Sequence, residues 1–137
     1  MAGVKNHMHP RRVPMPRAKV WLEIDGNYIF GRGISDILKA VADKGSIKEA
    51  AKSVGKSYRH VWARIKETEQ AIGAALVRTQ VGGNDLRRSE LTDLGCELVH
   101  DFDALRRKVL SLVDREFQRR LRSTLNRHRL RPPVKDR

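Results

Sequence analysis

Ser46-Ile47-Lys48-Glu49-Ala50-Ala51-Lys52-Ser53-Val54-Gly55-Lys56-Ser57-Tyr58-Arg59-His60-Val61-Trp62 decides the fold. Ser46 and Glu49 have the spacing of a capping box: the serine hydroxyl accepts the N–H at the third helical position and the glutamate reaches back to the serine N–H. The helix so opened is short, Ile47 to about Val54, and Gly55 closes it. Ser57 caps a further helix, Tyr58 to about Ile72. Two helices joined by a three- or four-residue turn containing glycine, the first carrying the small pair Ala50-Ala51, read as helix-turn-helix. An ordinary helical hairpin uses the same signals, and spacing alone does not separate the two.

The second helix favours the first reading. Tyr58, Val61, Trp62, Ile65 and Ile72 form an inward stripe, leaving Arg59, His60, Ala63, Arg64 and Glu67 outside. Between Lys56 and Lys66 four basic residues occur with no acid. Arg59 and Arg64 have the length and fork geometry to reach guanine edges or phosphates. Ala63 between them permits close approach to a groove floor, and the helix N-terminus offers free N–H groups to a phosphate. Lys56, Ser57, Tyr58, Arg59, His60, Ala63 and Arg64 are therefore the candidate DNA-binding residues of this helix.

Working outward, Val20 to Ile24 alternates with period two, Asp25-Gly26-Asn27 marks a turn, and Tyr28-Ile29-Phe30 resumes, which predicts an N-terminal hairpin. Ile34, Ile37, Leu38 and Val41 then give one helical stripe that stops at Gly45. On the other side, Leu76 to Thr79 and Leu86 to Leu91 form a second hairpin around Val81-Gly82-Gly83-Asn84-Asp85, where a winged helix-turn-helix places its wing. Arg87 and Arg88 lie on or beside this wing, with Arg78 on the opposing strand. Thr92 caps a long helix through Leu94, Leu98, Phe102, Leu105, Val109 and Leu112; from Leu98 the steps alternate four and three, a heptad spacing. Leu98, Phe102, Leu105, Val109 and Leu112 are the expected seam of a two-fold dimer, although the first two turns have the option of folding over their own domain. Residues 92–117 hold four basic and six acidic side chains, which argues against that helix lying along DNA. The predicted fold class is mostly α with a small β content, a winged helix-turn-helix with an N-terminal hairpin and a long C-terminal dimerisation helix.

In order along the chain stand Trp21-Leu22-Glu23-Ile24-Asp25-Gly26, Phe30-Gly31-Arg32-Gly33, Gly45-Ser46-Ile47, Glu49-Ala50-Ala51-Lys52, Ser57-Tyr58-Arg59, Val61-Trp62, Gly82-Gly83 and Leu91-Thr92-Asp93-Leu94-Gly95. Together they resemble the N-terminal DNA-binding domain of the molybdate-responsive ModE regulators, which is related to the LysR-type winged helix-turn-helix. The resemblance covers about residues 20–117. It implies a dimeric transcriptional regulator that places the helix from Ser57 to Ile72 in the major groove of double-stranded DNA and touches DNA with its wing. Two features depart from the family. Asn84-Asp85-Leu86-Arg87-Arg88 follows Gly82-Gly83 where further glycines are common, and no oxyanion-binding module is recognisable in the 20 residues after 117. Molybdate or another oxyanion is therefore not expected as a ligand of this chain.

The 137 residues carry a net charge of +13, distributed unevenly. Residues 1–19 hold five basic side chains and no acid, residues 118–137 eight against Asp136, and the middle is nearly neutral. Three segments are expected: a basic flexible N-terminal tail over 1–19, the winged helix-turn-helix domain over 20–117, and a basic C-terminal tail over 118–137. An architectural nucleic-acid binder driven by the tails, and a protein-interaction module on the same scaffold, are the competing readings; the acid-free helix face speaks against the latter. No catalytic constellation is legible, since Cys96 and His100 lack a third orienting group, and no cofactor fingerprint or metal-ligand set stands out beyond the incomplete His7-Met8-His9. No apolar run reaches the roughly 20 residues of a membrane span. A single cysteine suits a reducing cytoplasm, and a DNA-binding reading adds association with the nucleoid.

Overall fold

A type I′-like turn makes the first hairpin. Asp25 and Gly26 both have positive φ, 51° and 77°, the conformation whose twist matches two antiparallel strands. It joins β1 (Trp21–Ile24) to β2 (Asn27–Gly31), with Leu22 opposite Phe30 and a register irregularity between Leu22 and Glu23. The computed structural model describes residues 13–82 and 87–128. Lys19–Val109 forms one compact unit, and the described residues outside it belong to another.

α1 (Arg32–Lys44) buries the predicted stripe of Ile34, Ile37, Leu38 and Val41 and ends at Gly45, whose N–H reaches the Val41 carbonyl at 2.9 Å. Ser46 caps α2 (Ile47–Val54) by accepting the Glu49 N–H at 3.1 Å. The reciprocal half of the box is replaced: the Glu49 carboxylate lies 3.4 Å from Lys52 Nζ instead. Ala50 and Ala51 are buried where α2 meets its neighbours. Gly55 (φ 70°) then closes α2 with a double C-cap, its own N–H on the Lys52 carbonyl and the Lys56 N–H on that of Ala51. The turn is thereby fixed from both ends, because Ser57 accepts the His60 N–H at 3.1 Å to start α3 (Tyr58–Ile72).

β3 (Val77–Val81) and β4 (Arg87–Leu91) form the second antiparallel hairpin, Val77 opposite Leu91. Its tip, residues 83–86, falls outside the described residues, as do most of the predicted N-terminal tail (1–12) and the chain from 129 on. The hairpin root is tied down on three sides. The Glu69 carboxylate of α3 accepts the N–H groups of Leu76 and Val77 at 2.7 and 3.3 Å. The Ser89 N–H donates to the Gly45 carbonyl at 2.8 Å, and the Thr92 N–H to the Leu76 carbonyl at 2.9 Å. Thr92 also caps α4 (Asp93–Arg120), accepting the Gly95 N–H at 3.1 Å.

α4 corrects one expectation. Phe102 is only 3% exposed and meets Phe30 edge-on, ring centroids 5.1 Å apart, while Leu98 packs on the same core. Phe102 therefore belongs to the core of its own domain, and half-buried Leu98 borders that core, as the option of the first turns folding over their own domain allows. The register of α4 against Phe30, which heptad spacing does not encode, makes the difference. A buried polar anchor reinforces this docking: Ser35, in α1, donates to Asp103 Oδ1 at 3.2 Å, and Lys39 forms an ion pair with the same carboxylate. Burial works to push the pKa of Asp103 up, but the Lys39 ammonium and the Ser35 hydroxyl outweigh it and hold the carboxyl below its ordinary value. The helix passes residue 117 without a break and ends at Arg120, and a short α5 (Arg122–Arg127) follows.

Candidate nucleic-acid interface

α3 is amphipathic about an axis slightly different from the one its sequence suggests. The buried positions are Val61, Ile65 and Thr68, with Ile72 half-buried beyond them. Thr68 is admitted to this stripe because its hydroxyl donates to the Arg64 carbonyl at 2.9 Å and needs no water. Tyr58 and Trp62, expected inside, are 44% and 45% exposed. At about 100° per residue the centre of the outer face falls on Arg59, Ala63 and Lys66, with the aromatic pair on one flank and Arg64 on the other.

The candidate residues separate accordingly. Lys56, Ser57, Tyr58, Arg59 and His60 are all exposed at the opening turn of α3. Among the described residues, Lys56 and Arg59 make no ion pair, so their charges are free to meet an external anion. Ala63 and Arg64 are half-buried. Arg64 is committed within the fold, its guanidinium 5.4 Å from the Tyr28 ring centroid and 3.4 Å from Glu67. It props the N-terminal hairpin against α3 rather than standing free beside Arg59.

In the wing the pleat sorts the arginines. Arg78 lies opposite Glu90 and Arg88 opposite Gln80, which puts both on one face. Arg87, opposite Val81, is on the other. All three are exposed, and Arg78 approaches Glu90 at 4.0 Å. Sequence reading missed Lys44. With Gly45, Ser46, Arg87 and Arg88 it lines a recess of about 350 Å³ where the α1–α2 turn meets the wing root. Residues 43 positions apart meet there because Ser89 is bonded to Gly45, a pairing that no local pattern announces. Among the described residues no cluster of three or more His, Cys, Asp or Glu side chains is placed to hold a metal ion, and no helix is long and apolar enough to cross a membrane.

An exposed, partly unpaired basic turn at the start of the second helix, flanked by an arginine-bearing hairpin, is the geometry of a DNA-contacting winged helix. Residues 36–96 match the family of bacterial regulatory helix-turn-helix proteins, lysR family. That segment is similar to a LysR-type helix-turn-helix domain. The matched segment begins within α1 and takes in α2, α3, both wing strands and the first turn of α4. The β1–β2 hairpin and most of α4 lie outside it.

The chain is also similar to ModE proteins. The chain is 31% identical over 80 residues to the molybdenum transport protein ModE of Herbaspirillum seropedicae, which covers 58% of this chain and 30% of that protein. It is 36% identical over 69 residues to the DNA-binding transcriptional dual regulator ModE of Escherichia coli (strain K12), covering 50% and 26%. The chain thus spans less than a third of these relatives' length in the matched region. Among solved structures, a CbnR_DBD–DNA complex is 24% identical with a TM-score of 0.45, covering 64% of this chain and 90% of that one.

Proposed function

We propose that the chain is a DNA-binding transcriptional regulator that engages double-stranded DNA as a homodimer, at the nucleoid of the cytoplasm. In this reading the opening turn and outer face of α3 enter the major groove and the β3–β4 wing lies along the adjacent backbone. The observation that carries it is the free basic turn, Lys56 to His60, on the second helix of a LysR-type domain. Arg59 is the base-reading arginine; Arg64, held by Tyr28 and Glu67, is assigned to support.

Replacing Arg59 by alanine is expected to cost about 1–3 kcal/mol on a cognate site and to relax base preference at one position per half-site. Lys56→Ala should weaken all duplexes alike and lower the salt slope by about one phosphate's worth, about 0.9. The pair, measured by equilibrium binding across salt concentrations, tests the assignment. Should Arg59→Ala leave both affinity and preference unchanged, α3 does not read bases.

For the dimer, Leu105 and Leu112 are 46% and 50% exposed on α4 and Val109 is half-buried between them, a four–three spacing on one helix. Leu105→Glu with Val109→Glu is expected to convert a dimer into a monomer in analytical ultracentrifugation. An unchanged mass removes these positions from the interface.

A further inference from the structure

Trp62 is the residue whose position the fold changes most. The helical pattern assigns it to the core, yet the core stripe runs through Val61, Ile65 and Thr68 and leaves the indole 45% exposed. Trp62 stands on the same flank of α3 as Tyr58 and Glu69, four residues before it and seven after. That flank faces the wing, because Glu69 holds the N–H groups of Leu76 and Val77 at the entry to β3. Lys66, bonded to Glu69 at 3.1 Å, places its ammonium 5.8 Å from the indole centroid. The ring is therefore braced in an exposed place, between the free basic turn and the wing, in the half of α3 that meets base edges in a helix-turn-helix.

We propose that Trp62 reads thymine, by contact of its indole with the 5-methyl group in the major groove. The inference rests on the recognition-helix reading above. Its chemistry is selective: the base edges of the major groove offer hydrogen-bond donors and acceptors throughout, and the thymine methyl is their apolar group. An indole whose apolar face is turned to that surface gains by covering the methyl and loses by covering polar edges. Tyr58, one turn nearer the helix start and also exposed, extends the same strip.

The test begins with a duplex site selected from a random pool by the full chain. Each thymine of that site is replaced in turn by deoxyuridine, which removes the methyl and nothing else. Wild-type protein should lose about fourfold in affinity at one thymine per half-site, the loss expected for one buried methyl group. Trp62→Ala should bind the thymine site at least as much more weakly and no longer distinguish thymine from uracil there. The deoxyuridine series uses the unaltered protein, so the result does not depend on how the variant folds. Retention of the full thymine preference by Trp62→Ala overturns the proposal. So does a wild-type protein indifferent to every uracil, which would move the indole to the sugar–phosphate backbone. Arg59→Ala, measured in parallel, separates the two levels. If it weakens binding while the uracil and Trp62 series are flat, α3 still reads DNA and Trp62 does not. If no site is enriched, or neither variant changes binding to the enriched site, both readings fall together.

Discussion

Replacing Phe102 by alanine should destabilise the domain by about 3–5 kcal/mol, the range for truncating a buried phenylalanine. The ring is almost inaccessible and lies edge-on to Phe30, itself fully buried, so the variant loses transfer energy, an aromatic pair and packing around the cavity together. Domains of this size are stable by only about 5–15 kcal/mol, so about a fifth or more of the total is at stake. The readout is the urea midpoint at several protein concentrations. A core residue lowers the midpoint by the same amount at every concentration, whereas a dimer contact acts through association and its effect varies with concentration. A loss confined to high protein concentration would return Phe102 to the subunit interface.

Gly95→Ala should destabilise as well, against the usual sign. Gly95 lies in the first turn of α4, where alanine is ordinarily about 1 kcal/mol better than glycine. Here a Cβ would stand 2.4 Å from the Leu76 carbonyl oxygen and 3.4 Å from Leu91 Cβ. That carbonyl has little room to withdraw, since it accepts the Thr92 N–H while the Leu76 N–H is held by Glu69. Relief therefore requires α4 to lift from the wing root, and overpacking of this kind costs about 1–3 kcal/mol. With the helix-propensity gain of about 1 kcal/mol subtracted, the net loss should reach up to about 2 kcal/mol. Thermal unfolding followed by circular dichroism should show a lower Tm; a raised Tm would mean that the α4–β3 approach is looser than described.

These two residues mark where the sequence was and was not informative. Ser46, Ser57, Gly45 and Gly55 act within one turn of chain, so their capping roles and the boundaries of α2 and the start of α3 were legible directly. The four–three spacing from Leu98 to Leu112 was equally legible, but it specifies an apolar face and not its occupant. Phe30, 72 positions before Phe102, decides that the first half of that face is internal. The same limit explains Trp62. Periodicity admits an arc containing Tyr58, Val61, Trp62 and Ile65, and the tertiary neighbours of α3 choose its centre. They rotate it away from Tyr58 and Trp62 far enough to take in Thr68, whose letter looks polar and whose hydroxyl is satisfied by the Arg64 carbonyl. Arg64 passed for a free arginine because the hairpin carrying Tyr28 is remote in sequence.

The net charge of +13 invites a reading in which the ends of the chain supply the binding. The central claim locates specificity elsewhere, in the outer face of α3 within a nearly neutral domain. Selection of bound duplexes from a random pool by the full chain, compared with the same selection by Arg59→Ala, tests it most directly. The account predicts an inverted repeat for the wild type, with one base position per half-site relaxed in the variant. Enrichment of no motif by the wild type, or of an identical motif by both proteins, would contradict it.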